Sequence, residues 1–162
     1  MPAYLAVLFL ASLTAPGLAQ AEWRFEVPRA PDDLGRASAV NEQGQVLTVG
    51  CGNSGMVDIS ITPDLRPPNL EWRDEGTVLF FHIDEGKGLQ MPARCDARGC
   101  FQAPMLGDAP WPAREMEVIT LALRRGASVD VRVSGQILAR FDLTGSGVAL
   151  NTLAEQTSCE GL

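Results

Sequence analysis

Gln45-Val-Leu-Thr-Val-Gly-Cys51 alternates strictly, with Val46 and Thr48 on one side and Leu47, Val49 and Cys51 on the other. A period of two is the mark of a strand with one buried face. The cysteine falls on the apolar side, where it is placed to bond inward. Turn residues bound the stretch. Glu42-Gln43-Gly44 precedes it and joins it to Arg36–Asn41 as a hairpin; Gly52-Asn53-Ser54-Gly55 follows it and leads into Met56–Ile61. In that next strand Val57, Ile59 and Ile61 oppose Asp58 and Ser60.

The same grammar extends outward. Trp23–Val27 alternates and reads as a first strand, separated from the hairpin by a loop over Pro28–Gly35. Thr62–Asn69 carries three prolines and reads as a surface loop. Thr77–Asp84 (TVLFFHID) is a strong strand, with Leu79, Phe81 and Ile83 on one face and Phe80, His82 and Asp84 on the other. Glu85-Gly86-Lys87-Gly88 turns the chain. Leu89–Ala93 and Phe101–Ala103 form the arms of a further hairpin, and Met105–Trp111 reads as a loop.

Helical spacing appears only late. Pro112 suits a first helical turn, Glu115 and Glu117 lie early, Arg124 and Arg125 late, and Gly126 ends the run. Met116, Ile119, Ala122 and Leu123 make its apolar stripe. Ser128–Val133 and Gln136–Asp142 form a hairpin about Ser134-Gly135. Ser146 is placed to cap a second helix that buries Ala149, Leu150, Leu153 and Ala154 and runs to Cys159. The expected fold is mainly β (α+β): an antiparallel sandwich or twisted sheet with two short helices in the C-terminal half, stapled by disulfides.

The N-terminus reads differently. Ala3–Leu13 is uncharged and apolar, too short to span a bilayer as a helix, and is broken by Pro16-Gly17. Ala19-Gln20-Ala21 fits a small-x-small cleavage site. Residues 1–21 therefore read as a secretory signal, cut after Ala21 or after Ala19. Residues 22–162 read as one β-rich domain in the periplasm or outside the cell. Of the 162 residues, 46% are hydrophobic and 20% charged, enough apolar content to bury a core and reject global disorder. The net charge of −7 argues against nucleic acid and anionic lipid, both of which call for clustered cations.

Export makes the four cysteines legible as a disulfide set. Three pairings are possible. Cys95 and Cys100 bracket Asp-Ala-Arg-Gly, a turn composition, which favours Cys95–Cys100 and leaves Cys51–Cys159. The spacing departs from the Cys-x-x-Cys of thiol redox sites. With His82 the single histidine, no zinc set is evident, and no metal or other cofactor is expected.

Other residues invite chemistry but have plainer roles open to them. Gly52-Asn53-Ser54-Gly55 has the look of a serine nucleophile loop, but His82 follows it, the chain is too short for a double barrel, and Met56 replaces the last glycine of a hydrolase elbow. A hairpin turn is the simpler reading. His82 and Asp84 share a strand face at neighbouring pleats and form the one candidate imidazole–carboxylate pair. Asp74-Glu75 and Asp84-Glu85 suggest paired carboxylates or calcium, but their spacing fits no EF-hand and is ordinary for turns in an acidic protein. Trp72 and Trp111 lie in or beside Pro-rich loops, either as lids on the core or as interface anchors.

The most specific stretch is the C-terminal third: Glu117-Val-Ile-Thr-Leu-Ala-Leu-Arg-Arg-Gly126, Val129–Val133, Phe141-Asp-Leu-Thr-Gly-Ser146, Ala149-Leu150, Leu153 and Cys159. Together with Trp23 and Leu47-Thr-Val-Gly-Cys51, it resembles two related patterns of small exported bacterial proteins, the invasion-associated locus B family and the type VI secretion accessory family of periplasmic proteins. Both join an early Leu-x-Val-x-Cys-like strand to a late Phe-x-Leu-x-Gly, Ala-Leu, Cys ending. The invasion-associated pattern carries more cysteines early in the domain, where this chain has Cys95 and Cys100 instead. The resemblance implies an envelope or secreted β-sandwich with no catalytic residues to carry over. The function expected is non-enzymatic binding or accessory work in the cell envelope, with another envelope protein as partner. The alternative is a small periplasmic hydrolase, with His82 and Asp84 lining a cleft, or an enzyme inhibitor projecting the Cys95–Cys100 loop.

Overall fold

The computed structural model describes residues 22–27, 34–52, 55–63, 76–103, 105–106, 109–110 and 112–162. The proposed signal segment, Asn53 and Ser54, Trp72, Asp74, Glu75 and Trp111 lie outside the described residues. In chain order the strands are β1 (Arg24–Glu26), β2 (Arg36–Val40), β3 (Val46–Cys51), β4 (Val57–Thr62), β5 (Thr77–Ile83), β6 (Leu89–Asp96), β7 (Gly99–Gln102), β8 (Met105–Leu106) and β9 (Ala109–Pro110). Helix α1 (Ala113–Arg125), the hairpin β10 (Ser128–Val133) and β11 (Gln136–Asp142), and helix α2 (Ser146–Gln156) complete the chain. No helix among the described residues is long and apolar enough to cross a membrane.

Nine strands form one antiparallel sheet in the order β1-β2-β3-β4-β7-β6-β5-β10-β11, and β8–β9 form a separate small pair. The two layouts left open by the sequence thus resolve to a single curled sheet. Its inner face carries Ala37, Ala39, Leu47, Val49, Val57, Ile59, Ile61, Leu79, Phe81, Met91, Ala93, Val129, Val131, Ala139 and Phe141, all buried. α1 covers that face with Met116, Ile119 and Leu123, and α2 with Ala149, Leu150 and Leu153. The period-two and helical stripes read from the sequence meet in this one core, except that Val27 is exposed and Ala122 and Ala154 are half-buried outside it.

The curl has a visible cause. β11 would be an open edge, with carbonyls free to recruit another strand. Three side chains occupy those carbonyls instead. The Trp23 indole donates to Asp142 O at 3.1 Å, Asn41 Nδ2 to Arg140 O at 3.1 Å, and Gln45 Nε2 to Leu138 O at 3.2 Å. The donors stand at the same end of β1, β2 and β3, so β11 crosses the ends of those strands rather than running alongside them. Leu138 is skipped in the register between Val131↔Ala139 and Arg132↔Ile137, a bulge that bends β11 toward the seam. Asn41 also accepts from the N–H groups of Gln43 and Gln45, so one side chain shapes the β2–β3 turn and closes the sheet.

Two disulfides form, Cys51–Cys159 and Cys95–Cys100. The first holds the C-terminal tail beside β4, where Val57 N donates to Glu160 O at 3.0 Å and Glu160 N to Gly55 O at 2.8 Å. Thr120 Oγ1 donates to Gly161 O at 2.7 Å and fixes the same tail to α1.

Four local expectations are corrected. α2 stops at Gln156, so Cys159 sits on an extended tail and the long bridge joins β3 to that tail, not to the helix. Ser146 does not cap α2; Gly145 holds the cap position at φ 85°, and the buried Ser146 hydroxyl donates to Leu123 O of α1 at 2.7 Å. Met105–Trp111 contains the β8–β9 pairing within what reads as a loop. β5 ends at Ile83, and Asp84 leaves the strand with φ 49°. Asp84 and Glu85 (φ 63°) form the centre of a tight turn closed by Gly86 N to Ile83 O at 2.8 Å.

Candidate functional site

The left-handed turn decides what His82 and Asp84 can do. It swings the Asp84 carboxylate to the α1–β10 junction, where Oδ1 accepts from Ala127 N and Ser128 N, both at 2.9 Å. His82 remains on the outer face of β5. Its Nδ1 lies 3.0 Å from Gly86 O, and because that oxygen only accepts, Nδ1 carries the proton. The ring rests on Gly88, where a Cβ would come within 2.8 Å of Nε2. The structure therefore separates the pair that the strand pattern brought together, and each member is tied to backbone. Alternation fails here because it holds only while the chain stays extended.

A different constellation occupies the outer face of β7, β6, β5, β10 and β11. Its positions follow from the ladders: Phe101 is opposite Arg94, Phe80 is opposite Gln90 and Arg132, and Asp130 is opposite both His82 and Arg140. Phe80 and Phe101 are half-buried, and Arg94 is exposed with no ion pair among the described residues. Arg98, at the tip of the β6–β7 hairpin, lies over the Phe101 ring at 5.5 Å and pairs with Asp96 at 2.6 Å. Asp130 accepts from Arg140 Nε at 2.6 Å, from Arg140 Nη2 at 3.0 Å and from Arg132 Nη2 at 2.9 Å.

The charges are layered. The Asp130 side chain is 12% exposed, whereas Arg140 above it is 67% exposed, and Arg98 at 80% stands above Asp96 at 47%. Asp130 forms a floor that orients Arg140, whereas Asp96 is itself exposed and braces Arg98 from beside it. Hydrogen bonding from Arg140, aided by Arg132, holds Asp130 well below the usual carboxylate range, at about 2. The Arg98 hydrogen bond likewise lowers Asp96. Asp142, on the same face, accepts from Thr144 N at 2.7 Å and belongs to the turn after β11.

Across the sheet, the outer face of β1–β4 is built from Arg24, Ser38, Thr48 and Ser60 in one cross-strand row, with Glu26, Arg36, Gly50 and Asp58 in the next. Gly50 leaves room for Asp58, whose Oδ1 would stand 2.7 Å from a Cβ there. Desolvation against the strand raises the Asp58 carboxyl, and Arg36 pulls it back.

No protein-family model, curated protein or solved structure matches the chain. The site is therefore argued from its own residues. Sequence reading recognised His82 as an outer-face residue but missed Phe80, Arg94, Arg98, Phe101, Asp130, Arg132 and Arg140 as a group. The signal for each was an ordinary outward position on a strand or, for Arg98, in a hairpin turn; hairpins pair them locally, and strand order brings the hairpins together on one face.

Proposed function

We propose that this protein is a non-catalytic, exported binding or accessory protein of the bacterial envelope that engages another envelope protein through the outer face of β7–β6–β5–β10–β11. The observation that carries the reading is the arginine–aromatic face. Arginine and aromatic side chains are enriched at protein interfaces, where they supply large contact area and directed donors, whereas lysine is depleted. The chain's one lysine, Lys87, lies in the β5–β6 turn. Oriented guanidiniums on a stapled sheet lose little freedom on binding. Export is supported by the apolar run at Ala3–Leu13, by Ala19-Gln20-Ala21, and by two disulfides, which persist in oxidising compartments. The likeness to the invasion-associated locus B and type VI accessory patterns points the same way.

The test is positional photocrosslinking in the full chain. A photoreactive residue at Ile137, which is 49% exposed beside Arg132, should give a discrete adduct with one envelope protein. The same residue at Thr48 should not. The purified partner should then bind the wild type and lose affinity for Phe80→Ala. Equal labelling from both positions, or none, would remove the basis for the reading.

A further inference from the structure

We infer that the segment this face receives is an acidic polypeptide, its carboxylates seated on Arg94, Arg98 and Arg140; the inference rests on the binding function just proposed. Complementarity of charge selects the occupant. On a chain of net charge −7, this surface turns Arg94, Arg98 and Arg140 outward, with Asp130 beneath Arg140 and Asp96 exposed beside Arg98. Arg94 has no ion pair among the described residues, so a carboxylate reaching it displaces no described partner. Arg98 and Arg140 are held by Asp96 and Asp130, which fix each guanidinium and leave the rest of the donor fork to solvent. A planar fork pre-set in this way suits the two oxygens of a Glu or Asp side chain. Phe101, between Arg94 across the ladder and Arg98 above its ring, offers an apolar surface for the methylenes of the same residues. The β1–β4 half lacks this arrangement. Its Arg24 is paired with Glu22, its Arg36 shares a row with Glu26 and Asp58, and the Ser38, Thr48 and Ser60 beside Arg24 are small, uncharged and not aromatic.

The experiment titrates the full-length protein into fluorescein-labelled poly-L-glutamate and follows anisotropy at low ionic strength. The wild type should bind, and added salt should weaken binding by screening. Arg94→Ala combined with Arg140→Ala should weaken binding by at least about tenfold, the loss of two charge-assisted contacts. Arg94→Ala alone should weaken it measurably, and it leaves every described ion pair intact. Arg24→Ala removes the same formal charge from the other half and should change affinity by less than about twofold. Equal losses for Arg24→Ala and Arg94→Ala would show a response to overall charge and overturn the inference. So would failure of the wild type to bind, or binding to polygalacturonate as tight as to poly-L-glutamate. Positional crosslinking retained alongside any of these results would leave the binding function standing with a partner of different chemistry.

Discussion

The two halves of the sheet share one core and one strand geometry, yet their outer faces differ in kind. β1–β4 present short hydroxyls in a row that Arg24 ends and a second row in which Arg36 stands between acids. β7, β6, β5, β10 and β11 present two phenylalanines and four arginines, with Asp130 beneath Arg132 and Arg140 and Asp96 beside Arg98. Inward positions are constrained alike in both halves, because any strand of this sheet must bury the same apolar face. Outward positions are not so constrained, and a half-buried aromatic beside an arginine with no ion pair among the described residues is not needed to hold the sheet together. The difference therefore separates what folds the protein from what it presents.

The staples divide along the same line and test it most strongly. Cys51–Cys159 anchors the first half across a sequence separation of 108, and Cys95–Cys100 clasps the second half across a separation of 5. Chain entropy assigns about 5 kcal/mol to the long bridge and about 2 kcal/mol to the short one. Chemical denaturation of Cys51→Ser/Cys159→Ser should show the larger loss. Cys95→Ser/Cys100→Ser should lose less stability but more affinity for poly-L-glutamate, because the hairpin carrying Arg94, Arg98 and Phe101 loosens. A short-bridge variant as unstable as the long-bridge variant would mean that the halves are not mechanically distinct.

Asn41 joins the halves, and its loss should cost less than the long staple. Asn41→Ala removes a donor to Arg140 O and an acceptor for Gln43 N and Gln45 N, with an expected destabilisation of about 1–3 kcal/mol. Amide exchange should then accelerate along β11 more than along β4. Uniform acceleration would refute the seam as the closing device.

The smallest effect is pH-dependent and separates the acids of the two faces. Asp130 titrates at about 2 in the fold, below its ordinary 3.8. Its contribution to stability is complete above the ordinary value and is lost as pH falls through the folded one. Between about pH 4 and pH 2 the wild type should therefore lose stability that Asp130→Asn never had, a difference visible in acid denaturation curves. Asp58 has the opposite sign. Its raised carboxyl disfavours folding while ionised, and that penalty is relieved as the group protonates on acidification. Asp58→Asn should lack this relief.

Much of the scaffold was legible because local pattern and tertiary need coincide in it. Val46–Cys51, Val57–Thr62, Ser128–Val133 and Gln136–Asp142 all fall where alternation put them. The turn around Asp-Ala-Arg-Gly brought Cys95 opposite Cys100 by hairpin register alone. Asp84 misled because its two carboxylate hydrogen bonds to Ala127 and Ser128, more than forty residues away, accompany a left-handed backbone that no strand pattern announces. Ser146 misled for a similar reason. A serine before a helix predicts a cap, but here it is buried against α1 and its hydroxyl satisfies Leu123 O. The proposed binding face was illegible because Phe101, Arg94, Phe80, Arg132 and Arg140 come from five strands.

The sequence by itself determined the strands of the large sheet, the two helices, the apolar side of most of these elements and the short disulfide. All of these depend on spacing within a few residues, where backbone geometry leaves few choices. Tertiary structure alone decided the strand order, the seam of Trp23, Asn41 and Gln45 against β11, the parting of His82 from Asp84, and the gathering of arginines and phenylalanines on one face. Those depend on which strand lies beside which, a matter of global closure and burial that no local period encodes.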